Sequence, residues 1–194
     1  LVYAGRGSRM MEEDLTKKES RDAMDLIFDR TVALSRKDGD TEILTVDNHA
    51  DGVYLYTRLK KESKEKADEA LNLLKINGGN KSGIGIADID NLGFVHPDQF
   101  WRHYSLGNVR VRGFSEIWTD ESDNLLYNLR NRNHLLKGKC VRCHFQDICA
   151  GNFRVRAEAV YGDVWQEDPA CYLSEEEIMS FREDLYGVPK SKDA

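Results

Sequence analysis

The chain has 194 residues, 32% of them charged and 40% apolar, with a formal net charge of −6 and four cysteines. That length suits one domain, or one domain with a small appendage, and the composition is too apolar for disorder. The acidic balance argues against a general nucleic-acid binder, no run approaches the roughly 20 apolar residues of a membrane helix, and no signal peptide is visible.

"LVYAGRG" opens with a short apolar run ending in a Gly-rich turn, which predicts a strand and then a loop with Arg6 and Arg9 at its tip. A start at Leu1-Val2-Tyr3, apolar and with no cap before it, resembles the middle of a fold, so a piece of something longer is expected. "LTKKESRDAMDLIFDRTVALSRKDG" reads as a helix: Thr16 and Glu19 form a capping box, Met24, Ile27, Phe28 and Thr31 share one face, and Gly39 supplies the left-handed exit. "EILTV" at 42–46 reads as a second strand, leading into "DNHADG". A helix from Asp51 to Leu59 follows, capped by Asp51. Another over 64–76 carries Ala67, Ala70, Leu71 and Leu74 on one face and stops at Gly78-Gly79. "GIGIADID" reads as a third strand. This alternation implies βαβ units around a parallel sheet, with "AGRG" and "DNHADG" at the strand ends where such folds build active sites.

From about residue 85 the pattern changes. "GIGIADID-NLG-FVHPDQF" has two extended runs joined by a Gly-containing turn, a β-hairpin. A helix is predicted from Ser115 to Arg130 with Ile117 and Trp118 facing inward, another from Asn152 to Tyr161 ended by Gly162, and a last one over 174–187 before a polar tail. The expected fold class is α/β: residues 1–84 as the later part of a partial α/β body, residues 85–194 as a small cysteine-bearing domain.

All four cysteines fall in that second part: Cys140, Cys143 and Cys149 within "CVRCHFQDIC", and the distant Cys171. Such clustering is unlike a secreted disulfide framework and points to a reducing, cytoplasmic compartment. Three occupants fit the thiols. Two disulfides are one. A zinc ion is another, though Cys149 and Cys171 are not a second Cys-x2-Cys knuckle, and His144 would have to stand in for one thiol. The third is a 4Fe–4S cluster, whose corners lie farther apart than the ligands of one ion and tolerate irregular spacing. "GNFRVRAEA" starts a helix just after Cys149, so its free N–H groups, with Arg154 and Arg156, can face an anion; the plainer alternative pairs those arginines with Glu158 and Asp163.

"GFVHPDQFW", "LGNVRVRGFSEIW" and "CVRCHFQDICAGNFRVRAEAVYGDVWQEDPACYL" together resemble the C-terminal SPASM/twitch extension of radical SAM enzymes. "EILTVDNHADGVYLY" and "NGGNKSGIGIADIDNLGFVHPDQFW" narrow the resemblance to the NirJ/AhbC type of heme d1 and alternative heme biosynthesis. It runs over nearly the whole chain and implies the C-terminal part of a partial (β/α) barrel followed by an auxiliary-cluster domain. The family's Cys-x3-Cys-x2-Cys, which holds the cluster that cleaves S-adenosylmethionine, is absent from these residues. The chain alone is therefore not expected to make the radical, and a second 4Fe–4S cluster and S-adenosylmethionine are expected of the full-length parent.

The resemblance implies an auxiliary 4Fe–4S cluster on Cys140, Cys143, Cys149 and Cys171. It also implies a 5′-deoxyadenosyl radical reaction that removes carboxylated side chains from a didecarboxysiroheme-type iron tetrapyrrole, with an electron donor such as ferredoxin or flavodoxin. Asp47, Asn48 and His49 follow a predicted strand and are expected at the substrate site, with His49 as iron ligand or proton donor. Arg6 and Lys81 are candidates to pair with substrate carboxylates. Two other readings are a peptide-modifying or other SPASM-type protein, and a non-catalytic zinc or iron–sulfur module.

Overall fold

The computed structural model describes residues 1–37 and 42–179. Gly39 and the stretch from 180 onward, with the rest of the last predicted helix and the tail, lie outside the described residues.

The helices form where local chemistry specifies them. α1 (Lys17–Lys37) begins at the expected capping box: the Thr16 N–H donates to Glu19 Oε2 at 2.9 Å and the Glu19 N–H to Thr16 Oγ1 at 3.2 Å. α2 (Ala50–Glu62) starts one residue before its expected first residue. Its N-terminal Ala50 N–H is taken by Asn48 Oδ1, and Asp51 lies inside the first turn rather than capping it. α3 (Lys64–Asn77) is capped by Ser63 and ends on Gly78 in the left-handed conformation. The helix predicted over 115–130 is two: α4 (Phe114–Trp118) and α5 (Asn124–Arg130). The break is local, because Asp120 Oδ1 accepts from both the backbone and the hydroxyl of Ser122, and Asp123 caps the second helix through the Leu126 N–H. α6 (Gln146–Cys149), α7 (Arg154–Tyr161) and α8 (Glu175–Met179) complete the set, with short 3-10 segments at Gly5–Glu13, Arg132–Leu135 and Gly138–Arg142.

The strands differ from expectation. Residues 1–3 and 42–46 join no ladder, and Leu44 and Val46 are 82% and 75% exposed. β-branched composition marks a chain that suits a sheet, but a strand exists only through its partner's hydrogen bonds, and none reaches these segments. Of "GIGIADID" only a short strand remains. Residues 84–86 turn their N–H groups onto the Lys81 carbonyl oxygen, leaving an isolated parallel bridge, Ser82–Ile86. The sheet among the described residues is antiparallel, β1 (Asp88–Ile89), β2 (Phe94–His96) and β3 (Gly107–Asn108), with Ile89 opposite Val95 and Val95 opposite Gly107. Its β1–β2 arm is the predicted hairpin, its turn held by Asp90 Oδ1, which accepts the Leu92 and Phe94 N–H groups at 2.9 Å. The chain is thus mostly helical with a small antiparallel sheet, compatible with an α/β class.

The largest core joins α2 and α3 to the cysteine-bearing segment. Val53, Tyr54, Tyr56, Ala67 and Leu71 pack with Phe145, Ile148, Tyr172, Leu173 and Ile178, and Cys143, Cys149 and Cys171 lie against this cluster. A buried ion pair fixes the geometry beside it. Asp168 accepts from Arg156 Nε at 3.0 and 3.1 Å and from its Nη2 at 2.9 Å, and also takes the N–H groups of Phe153 and Ala170. Arg156 Nη1 donates to the Leu1 and Asp47 carbonyl oxygens. Removing one partner strands the other's charge in the interior. Asp168→Ala is therefore expected to lower unfolding stability by about 3–5 kcal/mol in urea titrations, whereas Lys18→Ala, which opens an exposed pair on α1, should leave the transition in place.

Candidate functional site

The four cysteines, three from one ten-residue stretch and Cys171 from farther along the chain, are all free thiols and line one cavity. Val53, Phe145, Leu173 and Ile178 are its apolar lining, and Lys139, Asn152 and Asp168 are among its polar residues. Cys140 and Cys143 sit at the Gly138–Arg142 turn, Cys149 ends α6, and Cys171 is set by its N–H bond to the Asp168 carbonyl oxygen at 3.0 Å. Among the described residues no three His, Cys, Asp or Glu side chains converge to hold a single metal ion.

Burial dominates the thiol chemistry. It pushes the Cys140 thiol up to about 11 and the Cys143 thiol up to about 12, and raises Cys149 well above its ordinary value. Arg154 opposes the rise at Cys140, and Lys139 lowers both Cys140 and Cys143. These groups stay protonated at neutral pH, so any metal they took up would have to displace protons.

A separate cleft of about 510 Å³ lies beside this cavity, where Gly79 of the cleft abuts Cys149. Asp47, Asn48, His49 and Lys81 line it, with Phe153 and Ile148 at its floor. His49 is half-buried and stacks on the Phe153 ring, centroids 6.0 Å apart and planes 20° from parallel. Burial first, then the charges of Arg132 and Arg156, lower the His49 pKa, so its imidazole is neutral at neutral pH. Arg6 is not part of this cleft; it faces solvent on the Gly5–Glu13 turn. Asp51, buried, accepts the Tyr172 hydroxyl at 2.8 Å, and burial raises its pKa.

Two residues join cleft to cavity. Asn152, in the left-handed conformation at φ 62°, takes the His49 N–H on Oδ1 at 3.0 Å and donates through Nδ2 to Asn48 Oδ1 at 2.7 Å, while also lining the thiol cavity. Gly79 lies so close to Cys149 that a Cβ there would overlap its carbonyl group, and at φ 71° the position suits only glycine. Neither role is visible in sequence, because each partner is remote along the chain. At the helix after Cys149 the Asp168 carboxylate takes the N–H of Phe153, the residue before its first turn, and Arg156 pairs with Asp168 instead of Glu158 or Asp163. Those two acids are bound by His103 and Lys137.

No protein-family profile matches the chain, and no solved structure does. Curated proteins do. The chain is 61% identical over 181 residues to the Fe-coproporphyrin III synthase of Methanosarcina barkeri, covering 92% of this chain and 45% of that protein. It is 44% identical over 178 residues to the pre-heme d1 synthase of Dinoroseobacter shibae, covering 90% and 43%. It is 34% identical over 112 residues to the AdoMet-dependent heme synthase of Methanosarcina barkeri, covering 58% and 31%. The chain thus spans less than half the length of each relative, and what it matches is their C-terminal part. No helix among the described residues is long and apolar enough to cross a membrane.

The raised thiols give a direct test of the cavity. In metal-free protein at pH 8, Cys140, Cys143 and Cys149 should react with iodoacetamide at least about tenfold more slowly than an exposed cysteine of pKa near 8.5. Guanidinium unfolding should remove the difference. Rapid alkylation of more than one thiol per native chain would contradict the burial.

Proposed function

Because the chain belongs to the family of radical SAM enzymes of heme biosynthesis, as their C-terminal part, we propose that it is the auxiliary-cluster and substrate-site portion of an enzyme that removes carboxylated side chains from an iron tetrapyrrole. In this reading residues 1–84 belong to the partial barrel and residues 85–194 to a SPASM/twitch-like unit. S-adenosylmethionine and its own 4Fe–4S cluster act in the rest of the protein. The 61% identity to an Fe-coproporphyrin III synthase, against 44% to a pre-heme d1 synthase, favours an Fe-coproporphyrin-type product formed from a didecarboxysiroheme-type substrate.

One observation carries the site assignment: Asn152, which lines the four-thiol cavity, hydrogen-bonds His49 and Asn48 of the cleft that also gathers Asp47 and Lys81. Cys140, Cys143, Cys149 and Cys171 would hold a 4Fe–4S cluster, which supplies one-electron chemistry when bound. The remaining roles belong to the protein's own groups. His49, neutral and turned flat on Phe153, presents a ring nitrogen to the cleft as axial ligand to substrate iron or as proton carrier. Lys81, which lines the cleft and has no ion-pair partner among the described residues, would bind a substrate carboxylate. Asn48 is fixed by Asn152 and by the Ala170 carbonyl oxygen, and holds the loop in register. A ferredoxin or flavodoxin would deliver electrons.

Anaerobic purification with metal and sulfide analysis tests the cavity: about four irons and four sulfides per chain are expected, and one zinc without iron overturns the reading. For the cleft, addition of the iron tetrapyrrole to the wild-type protein should shift its absorption bands, and His49→Ala should abolish the shift. An unchanged shift in that variant removes His49 from the substrate site.

A further inference from the structure

Three buried cations lie near the four thiols, Lys139 lining their cavity, Arg132 within electrostatic reach of Cys149 and Arg154 within reach of Cys140 and Cys149, and no carboxylate among the described residues forms a salt bridge with any of them. Arg154 is wholly buried. Its terminal nitrogens donate to the carbonyl oxygens of Gly151, Val164 and Gln166, and its Nε has no partner. Arg132, 3% exposed, donates to the side-chain and backbone oxygens of Asn80, whose own N–H is given to the Cys149 carbonyl oxygen. Lys139, 9% exposed, lines the cavity and donates through Nζ to the carbonyl oxygens of Cys171 at 2.6 Å and Leu173 at 3.2 Å. The nearby acids are already engaged. Asp168 is bound by Arg156, while Glu167 takes the Lys139 backbone N–H and pairs with Lys17.

Carbonyl dipoles offset only part of the cost of burying a charge, which runs to several kcal/mol per ion. Like charges make it worse: burial and the neighbouring Arg154 push Arg132 down to about 10. An anion held beside these cations would offset that cost. The thiolates and sulfides of an iron–sulfur cluster provide one, and every electron added makes it more negative.

We propose that Arg132, Lys139 and Arg154 are the fixed counter-charges of an anionic cluster in the four-cysteine cavity, retaining it and raising its reduction potential. This rests on the cluster reading above and assigns positioning roles to three residues that touch neither substrate nor iron. Because the cations are already buried and held by carbonyl oxygens, they need no reorganisation when an electron arrives.

The test is a reductive titration of protein reconstituted anaerobically with ferrous iron and sulfide, using dithionite with redox mediators and following the cluster by electron paramagnetic resonance. In Arg154→Gln and Lys139→Gln the reduced-to-oxidised ratio at a fixed potential should fall about tenfold, a shift of about 59 mV to the negative. Arg154→Lys, which keeps the charge, should stay with the wild type. A folded Gln variant that loses iron while Arg154→Lys retains it supports the same role. Gln variants with wild-type iron content and an unshifted potential overturn the proposal, as does Arg154→Lys shifting as far as Arg154→Gln. Should Arg154→Gln not fold, Lys139→Gln and Arg132→Gln carry the measurement. Wild-type protein that takes up no cluster sinks the underlying reading as well, an outcome distinct from a loaded wild type with unshifted variants.

Discussion

The Asp168 carboxylate is a single buried anion on which several segments converge. It binds Arg156 through three contacts, holds the N–H groups at the start of α7 and at Ala170, and its carbonyl oxygen positions Cys171. Through Arg156 it reaches the Asp47 carbonyl oxygen, 2.8 Å from Nη1. That contact steadies a residue held at φ 62°, a conformation aspartate tolerates better than most residues. One ion pair therefore sets the fourth thiol, the rim of the cleft and the helix between them. Its net charge is close to zero, so it organises the site without answering the charge of Arg132 and Arg154.

The sequence showed most clearly what is decided over a few residues. The Thr16–Glu19 capping box, the Gly78 and Gly162 stops, and the hairpin around Asp90 all depend on partners within four residues, and all stand as expected. The clustering of Cys140, Cys143 and Cys149 was equally plain, and the structure adds Cys171 to the same cavity. Where the deciding partner is distant, the local signal misled. "EILTV" has the composition of a strand, but composition cannot supply the neighbour whose hydrogen bonds make one. Arg156 lies near Glu158 and Asp163 in sequence, yet pairs with Asp168. Asp51 looked like a cap because it precedes an apolar run, but Asn48 reaches the helix end first and leaves Asp51 to the Tyr172 hydroxyl. Asn152 and Asn80 gave no signal, being short polar residues whose partners lie dozens of positions away.

The contacts between cleft and cavity also bear on what an auxiliary cluster could do here. A group that served only to brace the fold would need no contact with the cleft. In this chain the bracing residues are also the connecting ones. Asn152 lines the thiol cavity and holds the His49 backbone, while Gly79 abuts Cys149 and belongs to the cleft. With all four thiols drawn to one cavity, a cluster held there would have no open corner for substrate. Its effect on the cleft would then pass through charge and electrons. Arg132 links the two electrostatically: the His49 pKa is lowered first by burial and then by Arg132, which also lies within electrostatic reach of Cys149. Were a cluster bound there, negative charge added to it would work against that lowering and favour the protonated imidazole.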